Sequence, residues 1–218
     1  VLGSAKRVRA SAGNLNNEFG VPLTILGDWS EEYYSQGGTP VFWLKVLCFG
    51  LWRLLVPHRY PEALVLEYAA DRPGDIRKLV RAFKPHIGVV TAVGETPVHV
   101  EFFASPEEVA AEKAWLVRVL KPGDWAVLNF DDMTVLGMKD KSRAQAYTFG
   151  FGEGASVRIS NFDFSFDEQG QPQGCSFKLH IHNSFVPVKV YGSLGRSQAM
   201  AAAAAAALGL IFEMNLVQ

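Results

Sequence analysis

Three short apolar runs, separated from one another by helix-length stretches, constrain this chain more than any other feature. They are Ala63–Tyr68 (ALVLEY), Ile87–Val93 (IGVVTAV) and Trp125–Phe130 (WAVLNF). Continuous apolar runs of this length suit strands buried on both faces. Asp71–Phe83 (DRPGDIRKLVRAF) predicts a helix, with Pro73 near the first turn, where a missing N–H costs little. Ser105 opens a second helix running to about Leu120. Ser105 is a good N-cap, Pro106 suits the first helical position, and Glu108 completes a capping box. Lys121–Asp124 is a turn. Strand, helix, strand, helix, strand predicts an α/β fold with a mostly parallel sheet flanked by helices. Such sheets gather ligands at the carboxyl ends of their strands.

The texture changes near Val157. Val157–Phe166 alternates, Glu168–Gln171 is a turn, Cys175–His182 alternates again, and Val186–Tyr191 is a further short strand. This predicts a small antiparallel β subdomain. An alanine-rich helix from Ala199 to Leu210 follows Gly195. The expected boundaries are 1–156 for the α/β core, 157–194 for the antiparallel subdomain and 195–218 for a helix returning to the core.

A chain of 218 residues, 49% hydrophobic and 20% charged, has the material for one sizeable domain. Its net charge of -1 gives no bulk electrostatic case for nucleic acid or for an anionic membrane. Cys48 and Cys175 show no CxxC spacing and are expected as buried free thiols in a reduced, cytoplasmic setting. The apolar stretch Val41–Val56 is shorter than the ~20 residues a spanning helix needs, and Lys45 and Arg53 interrupt it. It predicts an amphipathic helix lying on the protein, with a membrane-surface helix as the minor alternative. His180 and His182 share one strand face, but two ligands are too few for a metal site.

The opening, VLGSAKRVRA, poses a topological problem. Val1–Leu2 and Arg7–Arg9 both read as strands, and Gly3–Ser4–Ala5 resembles the entry to a phosphate-binding loop. Parallel neighbours need a crossover of about a dozen residues or more, and none fits between Ala5 and Lys6. Either the two are not parallel neighbours, or a loop-plus-helix segment is absent from this chain. The second alternative is the expectation.

Five ordered motifs carry a family resemblance. Gly13–Thr24 (GNLNNEFGVPLT) resembles the GNxNNxxGVPLT segment of the Mur ligases, and within them the MurF type. Val65–Ile76 (VLEYAADRPGDI) is similar to the family's LELGANxPGEI. Val93–Ser105 (VGETPVHVEFFAS) resembles IGxAHLExFGS, Val109–Lys113 matches VAxAK, and Val127–Asp132 (VLNFDD) matches xxNADD. Thr148–Gly150 also fits.

The resemblance implies a P-loop-NTPase-like central domain of an ATP- and Mg2+-dependent amide ligase of peptidoglycan precursor synthesis. That enzyme would add D-Ala-D-Ala to a UDP-N-acetylmuramoyl tripeptide through an acyl-phosphate. By the same resemblance Glu67 and His99 are magnesium ligands. Lys113 is a carbamylated, catalytic lysine that positions metal or phosphate, and His99 shares the catalytic role. Asn129 reads the adenine edge, since its amide donates and accepts at once. Asp132, Gly3 and Ser4 belong to the nucleotide site, and Asn16 and Asn17 shape the UDP-sugar loop. A paired-aspartate turn such as Asp131–Asp132 is often only structural.

The chain departs from the family in three places. The GSxGKTT loop is cut after Gly3–Ser4–Ala5, so the triphosphate lacks its main cradle. Ser197–Gln198 stands where an HN pair is usual. The stretch from Trp29 to Tyr60 is longer than the usual link. UDP-binding and C-terminal domains are not expected in this chain, which should not turn over alone. A folylpolyglutamate-type ligase and a loop-deleted, non-catalytic binding relative stay open as alternatives. The oligomeric state is not legible.

Overall fold

The computed structural model describes residues 1–93 and 102–215. The chain forms two compact units, Leu2–Asp71 and Arg72 onward.

In the first unit, strands β1 (Val8–Ala10) and β2 (Ala63–Val65) pair in parallel, Val8 opposite Ala63 and Ala10 opposite Val65. Helices α1 (Gly20–Leu26), α2 (Ser30–Gln36) and α3 (Pro40–Leu55) lie between them in the chain. Leu15, Leu23, Trp29, Phe42 and Val46 form the core. Val1–Leu2 is not a strand. Leu2–Ser4 is a 3-10 turn, and the N–H groups of Ala5 and Lys6 both donate to the Leu2 carbonyl, at 3.1 and 3.0 Å. Two apolar residues offer too few ladder bonds to hold a strand, and the direct Ala5–Lys6 junction lets the chain close on itself.

The second unit is built on one six-stranded sheet, in the order of the chain: β3 (Ile87–Val90), β4 (Trp125–Asn129), β5 (Gln145–Gly150), β6 (Val157–Phe166), β7 (Pro172–Ile181) and β8 (Ser184–Tyr191). Pairing is parallel from β3 to β6 and antiparallel from β6 to β8. The three apolar runs therefore divide between two sheets, with Ala63–Val65 in the small one. The expected antiparallel strands exist and continue the parallel sheet through Phe149 opposite Val157 and Gly150 opposite Arg158. Pro187 sits in the edge strand β8, where a missing N–H is tolerated.

Side-chain alternation along β4 sorts the two faces. Val127 packs with Phe149, Val157, Ile159 and Phe177 under the alanines of α8 (Arg196–Ile211). Ala126 and Leu128 pack with Val90 on the other face, against Ala110, Ala114, Val117, Val135 and Met138. These come largely from α5 (Pro106–Lys113), α6 (Trp115–Arg118) and α7 (Met133–Leu136). The single helix expected to Leu120 is broken at Ala114, where the Val117 N–H bonds Ala114 in a tightened turn. Helix α4 (Asp75–Ala82) starts after Gly74 at φ 96°, so Pro73 lies outside it. Cys175 is buried as expected, but Cys48 is exposed on α3.

Candidate active site

The carboxyl ends of β3, β4 and β5 are stitched together by side chains of the Asn129–Asp132 turn. The Asn129 amide nitrogen donates to the Thr91 carbonyl at 2.8 Å, and its Oδ1 accepts from the Asp131 N–H at 2.9 Å. One N–H and one lone pair of this buried amide remain. Asp131 accepts from the N–H groups of Phe151 and Gly152, at 2.7 and 2.8 Å, and so ties the end of β4 to the end of β5. A Cβ at Gly150 would lie 2.7 Å from the Asp131 carboxylate, so the turn needs glycine there. Asp132 accepts from the Val93 N–H at 2.9 Å through one oxygen. Through the other it caps α7 at Thr134 and Val135, at 3.0 and 3.1 Å.

Lys113, the last residue of α5, reaches the same edge. Its Nζ donates to the Ala92 carbonyl at 2.7 Å. Burial pulls its pKa below the usual lysine range, and the charge of Asp132 acts in the opposite direction. A half-buried amine with a depressed pKa is more often neutral and nucleophilic than a surface lysine. His99 lies outside the described residues.

A second constellation belongs to the first unit. The Asn16 Nδ2 donates to Glu67 Oε1 at 3.2 Å, the Glu67 N–H donates to Ser11 Oγ at 3.2 Å, and the Ala69 N–H donates to the Asn16 carbonyl at 2.9 Å. Glu67 stands two residues beyond β2 and is exposed. Asn17 has a local role: its Oδ1 accepts from Phe19 and Gly20, at 3.1 and 3.0 Å, at the start of α1. Gly13 takes φ 55°, and a Cβ on Gly20 would run into the Leu15 backbone. The GNLNNEFG block is thus a self-supporting loop that aims Asn16 at Glu67. Gly3 and Ser4 lie in the exposed 3-10 turn, whose following amides are directed at Leu2.

Taken unit by unit, the donors are of the kind magnesium takes, hard oxygens that leave room for waters and phosphate oxygens. Glu67 supplies such oxygens. Among the described residues no cluster of three or more His, Cys, Asp or Glu forms an all-protein cage. Lys113 becomes an oxygen donor only as a carbamate, which its depressed pKa favours. Sequence reading missed Glu112, which is buried and accepts from the Arg77 N–H of α4 at 3.0 Å. Its signal was an acid three residues after Val109, on the buried face of α5.

Known proteins share the sequence pattern and the fold. The Mur ligase middle domain matches residues 53–208. The chain belongs to the Mur ligase family. This Mur ligase domain is 31% identical, over 159 residues, to a UDP-N-acetylmuramoyl-tripeptide–D-alanyl-D-alanine ligase of Mycobacterium tuberculosis, covering 73% of the chain and 30% of the relative. A ligase of the same name from Mycobacterium leprae is 37% identical over 93 residues, 43% of the chain and 18% of the relative. The crystal structure of MurF ligase from Thermotoga maritima in complex with ADP superposes at a TM-score of 0.73 with 25% identity, covering 99% of the chain and 41% of that one. MurF from Acinetobacter baumannii superposes at 0.73 with 21% identity, over 99% of the chain and 39% of that one. The Mur ligase domain described here therefore spans well under half of each relative.

Proposed function

We propose that this domain serves an ATP-dependent ligase that joins D-Ala-D-Ala to a UDP-muramoyl tripeptide, on the cytoplasmic side of peptidoglycan synthesis. The observation that carries the reading is Lys113, held on the Ala92 carbonyl beside Asp132 and Asn129 at the ligand-binding edge of the sheet. Glu67 in the first unit and Lys113, once carbamylated, in the second are each assigned to magnesium by their own motif, and magnesium would neutralise phosphate charge when bound. His99 is assigned to the metal by its motif.

The chain's own groups do the preparation. Asp132 and Asn129 fix the loop that presents the Ala92 carbonyl. That carbonyl orients Nζ of Lys113, and burial keeps a fraction of it neutral. After the ammonium gives up one proton, the neutral amine forms an N–C bond to carbon dioxide, one C=O π pair moves onto oxygen, and a second proton leaves nitrogen, so the group goes from cation to anion with two protons released. Asn129 retains one donor and one acceptor for a base edge. Asn16 orients the Glu67 carboxylate.

Two measurements test this. With 13C-labelled bicarbonate, the 218-residue chain should show a carbamate resonance that disappears in Lys113→Arg. ADP titrated with and without magnesium should bind in a magnesium-dependent way. Asn129→Ala should weaken binding about tenfold, the size of one lost buried polar contact. A second reading rests on the Leu2–Lys6 turn, which stands where relatives place a phosphate loop. If neither carbamate nor ADP binding is seen, the domain is a non-catalytic binding relative.

A further inference from the structure

Helix α3 is apolar on two opposite sides. Phe42, Val46 and Gly50 are buried in its own unit. Facing away from them, Val41, Leu44, Leu47, Leu51, Leu54 and Leu55 are between 59% and 84% exposed. Their spacing of three and four residues makes one continuous stripe. Soluble proteins rarely leave more than a few hundred Å² of contiguous apolar surface to water. A stripe of this length calls for a cover.

Charge selects its occupant. The whole-chain balance conceals a local asymmetry: residues 33–61 contain no Asp or Glu but carry Lys45, Arg53, His58 and Arg59. The helix's two cations are turned off the stripe. Lys45 bonds Glu32 at 2.7 Å and lies over Trp29, and Arg53 donates to the Leu26 carbonyl at 3.1 Å and lies over Phe49. The stripe can thus be desolvated without burying a charge. His58 and Arg59 stand exposed just beyond its carboxyl end, and the amphipathic ring of Trp52, 52% exposed, flanks it. Beside the stripe a cavity of about 520 Å³ opens between α3 and the end of α1. Its floor is Ile25, Leu26, Leu47, Leu51 and Leu54, and Arg53, His58 and Tyr60 stand among its lining. An apolar floor with donors and cations beside it matches an acyl chain below an acidic headgroup. Among the described residues no helix is long and apolar enough to cross a membrane. The 16 residues of α3 reach ~24 Å, so the helix would lie in the plane of the interface.

We propose that α3 docks this chain on an anionic phospholipid surface. The leucine stripe enters the headgroup–acyl boundary, and His58 and Arg59 meet lipid phosphates.

Vesicle flotation of the 218-residue chain tests this. Binding to phosphatidylglycerol–phosphatidylethanolamine vesicles should exceed binding to phosphatidylcholine vesicles about tenfold and weaken in about 0.5 M salt. The triple substitution Leu44→Ser, Leu51→Ser, Leu54→Ser removes exposed side chains only. It should abolish flotation while leaving the circular dichroism spectrum unchanged. Arg59→Glu, which leaves the stripe intact, should weaken binding to the anionic vesicles alone. The proposal is overturned by no flotation with either vesicle, by equal binding to both, or by flotation that survives the triple substitution. It is equally overturned if light scattering shows a dimer that the triple substitution dissolves and that ignores vesicles, since the stripe then covers a second copy.

Discussion

Lys113 is held where its charge is poorly solvated, and this has a definite sign. Burial lowers its folded-state pKa, so the folded chain releases this proton before the unfolded chain does. Between the two pKa values the unfolded state holds more protons, and stability rises with pH. Below the folded value both states are charged and the penalty is fully present. The difference in unfolding free energy between the parent and Lys113→Met should therefore shift in favour of the parent as pH climbs through the alkaline range below the ordinary lysine value. Urea titrations at a series of pH values measure it, and a flat difference would contradict the assignment. The motif made Lys113 legible in the sequence, but its environment was not. Nothing in VAAEK announces a bond to Ala92, because that partner lies 21 residues away and across the sheet edge. Asp131 shows the converse. Its structural reading from turn chemistry agrees with what it does, yet the strand end it fastens could not be named.

Local chemistry announced the elements best. Ser105 accepts from the Glu108 N–H at 3.4 Å, as the capping box requires, while Glu108 reaches one residue further back, to the Ala104 N–H at 2.7 Å. Glu112 is where helix reading stopped short. A carboxylate on the buried face of α5 caps a different helix, α4, and only tertiary structure reveals the pairing. Glu112→Ala leaves the Arg77 N–H without its partner. It should destabilise the second unit by roughly 1–3 kcal/mol in chemical denaturation, with Glu112→Gln recovering part of the loss because an amide oxygen still accepts. Within the segment from Trp29 to Tyr60, Val41–Val56 was legible as a helix, but α2 and the sequestered aromatic cluster were not. Periodicity does not tell which of two apolar sides faces home.

At the scale of the whole molecule, the alternation of strands and helices foretold a parallel sheet, and the change of texture foretold antiparallel strands. Their union in one sheet was hidden by the crossover rule itself. β5 and β6 pair in parallel although only six residues separate them, because they overlap by just two residues and β6 runs on past the end of β5. A reciprocal lock makes the joint: the Thr148 N–H donates to Ser156 Oγ at 3.1 Å, and the Ser156 N–H donates to Thr148 Oγ1 at 3.0 Å. Ser156→Ala should lower stability by about 1–2 kcal/mol and speed hydrogen exchange at the β5–β6 seam more than at β7–β8. Helix α8 lies over this joint, and its contact face comes from a run of seven consecutive alanines, residues 201–207. The smooth face such a tract presents hardly changes with its length. One inserted alanine would keep the smooth surface but swing Leu208, Leu210 and Ile211 by roughly 100° about the helix axis, away from the strands they now cover. The small buried alanines let the helix lie close on the sheet, while Leu208, Leu210 and Ile211 set its register, so the number of alanines matters as well as their identity.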